Sequence, residues 1–218
     1  MSKRKSDSAL ISKIPAPESE PRKSDRTRVE ILQAALDFFW SQPFRDLTVG
    51  GLMSETSAGR SAFYRYFHDP YDLVEHLLRG LEADILEVAA PWFHGTGDPL
   101  PLLKQSLGGL VNLCYERGPI LKAVSDAAVS DERLEKEWNL FLNRFDDAVT
   151  ARIEQQQKLG LIAMFDARPI AVALNRMDAS LLIEAFGSRP RRPSQPVLDA
   201  LTRIWISTLY SQTTIHTN

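Results

Sequence analysis

Apolar residues recur at a spacing of three to four along almost the whole chain, and this period restricts the fold more than any other feature. The longest stripe runs from residue 73 to residue 89 and consists of Leu73, Val74, Leu77, Leu78, Leu81, Ile85, Leu86 and Ala89. Such a period is typical of amphipathic α-helices, whereas a half-buried strand alternates apolar and polar residues. No segment shows that alternation, so the sequence predicts an all-α protein.

Three shorter periodic segments precede this stripe, at residues 28–41, 48–56 and 59–68. Short turns join them, and the spacing of the last two is that of a helix-turn-helix unit. Thr48 can cap the second helix, although each of the two glycines that follow costs about 0.8–1 kcal/mol in a helix interior. The dipeptide Asp69-Pro70 then gives a start signal for the long fourth helix, because aspartate caps helices and proline suits their first position.

Further helical segments are predicted at residues 100–116, 119–128, 131–158, 167–186 and 195–212, with prolines and glycines at the breaks. The fourth helix is predicted to end at Pro91. Residues 1–25 are rich in serine, proline and charge and lack an apolar period, which predicts a disordered basic arm. We therefore expect this arm, a three-helix head at residues 26–70 and a larger helical body at residues 71–218.

Charge and cysteine content restrict the partners and the compartment. Residues 1–28 carry twice as many basic as acidic residues, whereas the rest of the chain is slightly acidic. Such an arm favours a polyanionic partner, although many basic tails only aid solubility. Cys114 is the only cysteine, and no secretory signal or apolar run of about 18 residues is present. A cytoplasmic protein without disulfides and without a membrane segment is expected.

The third segment divides its side chains between two faces. Phe63 and Phe67 lie four residues apart and are predicted to pack in the core, against Phe39 and Leu52. The opposite face carries Arg60, Ser61, Tyr64 and Arg65, whose side chains suit phosphate oxygens and base edges. The helix N-terminus near Arg60 also favours an anion. A plain solvated surface would have the same composition.

Residues 27–73, with TRVEILQAALDFFW followed by LTVGGLMSETSAGRSAFYRYFHDPYDL, resemble the DNA-binding head of the TetR family of bacterial regulators. The resemblance implies a homodimer that binds a palindromic double-stranded DNA operator, with SAFYRYF in the recognition helix. Pro70 stands where the family often has a lysine that contacts the DNA backbone, so the basic arm and Tyr64 are expected to contribute more. The candidate DNA-binding residues are Arg60, Ser61, Tyr64, Arg65, Tyr66, Thr48, Arg26 and Lys23.

The body is similar to the ethionamide-resistance repressor (EthR) subgroup of that family in DERLEKEWNLFLNRF, ALNRMDASLL and LDALTRIWISTLY. The resemblance implies dimerisation through the last two helices and an elongated, mostly apolar pocket for a small-molecule effector. Asp178 stands where the subgroup has a second asparagine, so the ligand is expected to carry a hydrogen-bond donor or an amine. The candidate ligand-binding residues are Asn175, Asp178, Trp138, Phe141, Phe145, Ile183 and Trp205.

Other functions are weaker interpretations of the same residues. The aromatic residues of the body could be plain core, and a carrier that does not bind DNA would share them. An enzyme could use Asp178 as a general base, but the sequence holds no phosphate-binding glycine loop, nucleophile elbow or metalloprotease motif. His68, Asp72 and His76 have helical spacing, but Pro70 interrupts it. We expect that the protein is not an enzyme and needs no metal or cofactor. We expect a repressor rather than an activator.

Overall fold

The computed structural model describes residues 23–210, which form eight α-helices and no strand. The all-α prediction is confirmed for this part of the chain. A 3-10 turn at Phe44–Asp46 lies between the first two helices. The helices are α1 Lys23–Phe39, α2 Val49–Ser54, α3 Arg60–Phe63, α4 Pro70–His94, α5 Pro99–Ala128, α6 Glu132–Lys158, α7 Ala167–Phe186 and α8 Ser194–Leu209.

The first two helices lie where they were predicted, but both end two residues earlier and α1 also begins earlier. Thr48 caps α2 as predicted, because its hydroxyl accepts a hydrogen bond from the Gly51 amide at 3.1 Å. Helix α1 begins at Lys23, earlier than the predicted residue 28 and inside the segment assigned to the arm. Apolar period marks only the part of a helix that packs on the core, so it cannot detect a polar first turn. Residues 1–22 of the predicted arm lie outside the described residues.

Helix α3 is shorter than the predicted segment 59–68. Its α-helical part covers Arg60–Phe63, and the chain then tightens, with the Arg65 amide donating to Ala62 O at 3.2 Å and the Tyr66 amide to Phe63 O at 2.9 Å. These bonds span three residues rather than four, which is common at helix ends. The segment cannot continue as a helix into α4, because Asp69 is extended ahead of Pro70 and the residue before a proline disfavours the α conformation.

Helix α4 continues through Pro91 to His94, so the predicted end at Pro91 was wrong. Proline weakens the helical hydrogen-bond ladder because it has no amide hydrogen and its ring crowds the preceding turn. Ser106 of α5 supplies hydrogen bonds beside Pro91, since its hydroxyl accepts from the Trp92 amide at 3.0 Å and donates to Ala89 O at 3.2 Å. A side chain from a neighbouring helix thus stabilises α4 at Pro91, where the local sequence alone predicts a helix end.

Helix α5 likewise passes through Pro119, where two separate segments had been predicted. Pro119 cannot donate to the carbonyl of Tyr115, four residues earlier, which leaves that oxygen free. The guanidinium of Arg191, in the connection between α7 and α8, donates to it at 2.6 Å. The continuity of α5 therefore also involves a contact from a distant part of the chain.

The core consists of two hydrophobic clusters along the helical body. The first joins Phe39 and Phe67 of the head to Leu73 and Val124 in α4 and α5, so the two predicted domains share one apolar core across residue 70. The second lies at the far end of the body and contains Trp92 and Trp205 together with residues of α5, α6 and α7. None of the described helices combines the length and apolar character needed to cross a membrane.

Candidate functional site

Helix α3 presents a polar and aromatic face on a buried base. Phe63 is fully buried, whereas the next residue, Tyr64, is 53% exposed. Arg60, Ser61 and Arg65 are exposed on the same outer surface. The predicted division of this stretch into buried phenylalanines and exposed arginines is confirmed, and the contact of this face with DNA stays a prediction.

Buried rings and one surface hydrogen bond hold α3 against the rest of the head. The rings of Phe63 and Phe67 lie 5.5 Å apart, in the same cluster as Phe39 and Leu52. Ser57, in the turn before α3, donates from its hydroxyl to the Glu30 carboxylate of α1 at 2.6 Å. The outer face of α3 is therefore attached to a well-packed helical unit, which fixes the direction of its side chains.

The other candidate DNA-binding residues surround this face to different degrees. Tyr66 is half-buried, with the Arg65 guanidinium 5.9 Å from its ring centre. Thr48 is exposed, but its hydroxyl already caps α2. Arg26 is exposed on α1, and Lys23 is the first residue of that helix. Gly59 caps α3 without a side-chain hydrogen bond.

The start of α4 connects the head to the body through charged groups. Asp72 is buried, and although burial raises its pKa, the His68 amide and the neighbouring His76, His68 and Arg133 outweigh this and lower the pKa below its usual value. Arg133 of α6 pairs with Asp69 at 3.0 Å and with the buried Glu75. Of the three residues considered as metal ligands, Asp72 accepts from the His68 amide at 2.9 Å and lies 3.1 Å from His76 Nδ1, so its carboxylate already has partners at the start of α4.

A buried carboxylate lies in the body core. Asp178 of α7 is 6% exposed, and both of its oxygens accept from the indole Nε1 of Trp205 in α8, at 3.0 and 3.1 Å. Burial raises the pKa of Asp178 to about 7, and the indole hydrogen bond offsets only part of this effect. Burial, together with the charge of Asp178, raises the pKa of the Cys114 thiol in α5 to about 12.

Asn175 lies one helical turn before Asp178 and also contacts a carboxylate. Its amide nitrogen donates to Oδ1 of Asp146 in α6 at 2.9 Å. Asp146 is 1% exposed and forms a bidentate ion pair with Arg176, with N to O distances of 3.1 and 3.0 Å. The amide of Asn175 therefore has one of its two donor hydrogens in use, and a ligand would compete with or add to this contact.

The aromatic candidates fall into the two clusters of the core. Trp138, Phe141 and Phe145 lie along one face of α6, with the first two rings stacked at 5.4 Å and the last two edge-on at 5.0 Å. Ile183 packs on the same cluster, whereas Trp205 belongs to the second, edge-on to Trp92 at 5.5 Å. Two surface depressions, at the junction of α6 and α7 and at the start of α8, include none of these residues. The structure thus shows the predicted lining residues packed as core.

Sequence reasoning missed a polar group at the far end of the body. Trp92 donates from its indole to the Tyr210 hydroxyl at 3.0 Å, and that hydroxyl lies 2.6 Å from the amide of Gln156, which is fully buried. Arg152, one turn before Gln156, donates to Gly95 O at 2.9 Å. Two polar residues inside the apolar stripe of α6, Arg152 and Gln156, were the signal that could have revealed this group.

The arrangement of the helices is that of a known class of regulators. It is similar to the regulatory protein TetR from Rhodobacter sphaeroides, with a TM-score of 0.69 and 15% identity, covering 84% of this chain and 98% of that one. A TetR-family regulator from Syntrophomonas wolfei gives a TM-score of 0.70 at 16% identity, covering 88% and 98%. A regulator from Saccharomonospora viridis, solved in complex with choline, gives 0.66 at 16% identity, covering 84% and 97%. At these identities the similarity establishes the fold.

The sequence comparisons are more specific. Residues 103–211 match the family model described as transcriptional regulator EthR, C-terminal domain. The HTH-type transcriptional regulator EthR of Mycobacterium tuberculosis is 26% identical over 204 residues, which cover 89% of this chain and 91% of that protein. The chain therefore belongs to the TetR family of transcriptional regulators, with a C-terminal domain of the EthR type. Its relatives are transcriptional regulators.

Proposed function

We propose that this regulator is a homodimeric repressor that binds a palindromic operator and releases it when a small, mostly apolar ligand enters the body. In this proposal residues 26–70 bind DNA, and residues 71–218 bind the ligand and form the dimer. The observation that carries the proposal is the exposed face of α3, where Arg60, Tyr64 and Arg65 lie directly above the buried Phe63.

This face has the chemistry that operator binding requires. Guanidinium groups bind phosphates as charged donors and can bind guanine edges in a bidentate way, while a tyrosine hydroxyl donates to either. The outward side chains of α3 are anchored by two buried rings, so little order has to be gained on binding. Two such helices in a symmetric dimer would contact successive major grooves on one side of the duplex.

The proposed dimer interface is the outer surface of α7 and α8. Several small or apolar side chains are exposed or half-buried there, which include Ala173, Leu181, Pro196, Ala200 and Ile204. Helices hide such surfaces by packing against a second copy of themselves around a two-fold axis. The resulting four-helix interface would connect the two bodies and leave both heads on the same side.

The proposed ligand site is centred on Asp178 and Asn175. A carboxylate can accept several hydrogen bonds, yet among the described residues Asp178 receives only the shared indole hydrogen of Trp205 in an apolar environment. A ligand with a hydroxyl, amide or ammonium donor would stabilise this carboxylate by supplying a second partner. The aromatic side chains of α6 and α8 would have to move apart to admit it, and their movement would favour a head spacing that no longer fits the operator.

The test is a gel shift of the purified protein on DNA upstream of its own gene and of neighbouring genes, at low and moderate salt with competitor DNA. We expect a discrete complex that survives competitor on one fragment, whereas salt-sensitive binding to every fragment would argue against a specific operator.

A ligand screen on that fragment would follow. Asn175→Ala and Trp205→Ala should alter release by ligand and leave the affinity of the free dimer similar. An identical ligand response in all three proteins would place the ligand site elsewhere.

A further inference from the structure

The connection between α7 and α8 contacts the DNA-binding head. Trp40 follows directly after α1 and is 8% exposed. The guanidinium carbons of Arg189 and Arg191 lie 5.0 and 5.1 Å from the centre of its ring. Both distances are in the range of cation–π interactions, so two arginines of the body bind one tryptophan of the head.

Arg191 is at the same time bound firmly to the body. Its guanidinium carbon lies 3.8 Å from the ring centre of Tyr115 in α5, and its Nη1 donates to the Tyr115 carbonyl at 2.6 Å. That carbonyl is the one that Pro119 leaves without a helical donor. Gly118 allows α7 to approach closely, because a Cβ at this position would lie 2.5 Å from the carbonyl oxygen of Phe186. Arg191 is therefore held against the body by contacts that do not involve the head.

The two arginines have no acidic partner that would explain their positions. Within the described residues, no aspartate or glutamate lies within ion-pair distance of Arg189 or Arg191, and both face aromatic rings instead. The next arginine along the chain behaves differently, since Arg192 is exposed and pairs with Glu184 of α7 at 2.5 Å. Three neighbouring arginines thus divide into two that contact the head side and one that stays on α7.

We propose that Trp40, Arg189 and Arg191 are positioning residues that fix the orientation of each head relative to the α7–α8 hairpin, and so set the half-site spacing that the dimer recognises. The inference rests on the proposed function, because it needs α7 and α8 to form the dimer and the head to bind DNA. If α7 and α8 are fixed by the two-fold axis, their connection is a rigid reference point in each protomer. When each head is held against this connection, the two heads of the dimer have one fixed separation. When the heads are released from it, several separations become possible.

The test uses the operator found for the wild-type protein and versions of it in which the half-sites are one or two base pairs closer or further apart. Arg189→Gln combined with Arg191→Gln should lower the preference for the natural spacing at least about fivefold, the lower range of coupling between sites in proteins. Arg192→Gln removes a charge from the same connection and is the matched control. It should keep the wild-type spacing preference.

Two further variants separate positioning from mere packing. Trp40→Phe keeps an aromatic face for the guanidinium groups and should retain the preference, whereas Trp40→Leu keeps apolar bulk and should lose it. Equal weakening on all spacings, with the spacing preference unchanged in the double variant, would overturn the proposal. The same holds if the double variant and Arg192→Gln behave alike.

A distance measurement gives the same answer without reference to affinity. The only native cysteine, Cys114, is fully buried, so a cysteine introduced at the exposed Glu55 of the head can carry a spin label. Pulsed electron resonance on the labelled dimer should give one narrow distance in wild type and in Arg192→Gln, and a broader distribution in the arginine double variant. An equally narrow distribution in the double variant would overturn the proposal. A wild-type protein without a specific operator or without a dimer would instead contradict the proposed function.

Discussion

The outer face of α3 and the Asp178–Trp205 pair in the body core each combine a charged residue with an aromatic one, but they differ in exposure. On α3, Arg60 and Tyr64 are exposed beside a fully buried phenylalanine. In the body, Asp178 and Trp205 are both buried and bind each other. Polar groups on a surface are available to a partner, whereas buried ones must satisfy each other, because an unpaired buried polar group is costly.

This difference separates the expected consequences of mutation. A change on the face of α3 should affect binding and leave the free energy of unfolding nearly unchanged. A change in the body core should affect stability first, and through stability its dependence on pH.

The largest effect is expected inside the head, where two adjacent residues belong to opposite sides of the contrast. Phe63→Ala should lower the free energy of unfolding by about 3–5 kcal/mol, since it empties a fully buried ring position. Tyr64→Ala, at the exposed neighbouring position, removes an edge-on contact with the Phe63 ring at 5.4 Å and should lower it by no more than about 1.5 kcal/mol. Urea unfolding of both variants measures this difference, and similar losses in the two would show that Tyr64 is part of the core.

A somewhat smaller effect concerns the pH dependence of the body. The pKa of Asp178 is about 7 in the folded protein and near 3.8 when unfolded, so the folded state holds the proton more tightly between these values. The stability contributed by this group is present below pH 4 and is lost as pH rises through 7. Between pH 5 and pH 8 the wild type should lose about 2–3 kcal/mol relative to Asp178→Asn, which cannot titrate.

Urea titrations of both proteins at these two pH values provide the measurement. Every other titratable group is present in both proteins and therefore cancels in the comparison, and burial raises the pKa of the Cys114 thiol to about 12, above the range of the measurement. Parallel pH profiles of wild type and Asp178→Asn would mean that the carboxylate is more solvated than its position in the structure implies.

The smallest effect is expected from the indole donor. Trp205→Phe keeps most of the ring but removes the hydrogen bond to Asp178, which should cost about 1–3 kcal/mol at pH 8. The loss should be smaller when Asp178 is already replaced by asparagine. A double-mutant cycle measures this coupling. Additive effects of the two substitutions would show that the pair contributes no specific interaction.

Most of the fold could be predicted from the sequence, because apolar period and helix caps are local signals. The bounds of α7 and the Thr48 cap follow directly from them. The passage of α4 and α5 through Pro91 and Pro119 could not be predicted, since it involves Ser106 and Arg191 from elsewhere in the chain. Local signals cannot show which distant side chain will supply a missing hydrogen bond.

The candidate sites divide in the same way. The buried and exposed faces of α3 follow from helical spacing alone, and the structure shows them as predicted. Asp178 could be selected as unusual for its subgroup, but its pairing with Trp205 depends on how α7 and α8 pack. The contact of Arg189 and Arg191 with Trp40 joins positions far apart in sequence, so no local pattern could indicate it.

The affinity of one double variant tests whether the outer face of α3 binds the operator. Arg60→Ala combined with Tyr64→Phe removes a guanidinium and a hydroxyl that the fold does not need. Fluorescence anisotropy on the operator should show a loss of at least about tenfold, as expected for one or more lost base or phosphate contacts, with an unchanged melting temperature. Wild-type affinity in this variant would contradict the assignment of α3 as the DNA-binding element.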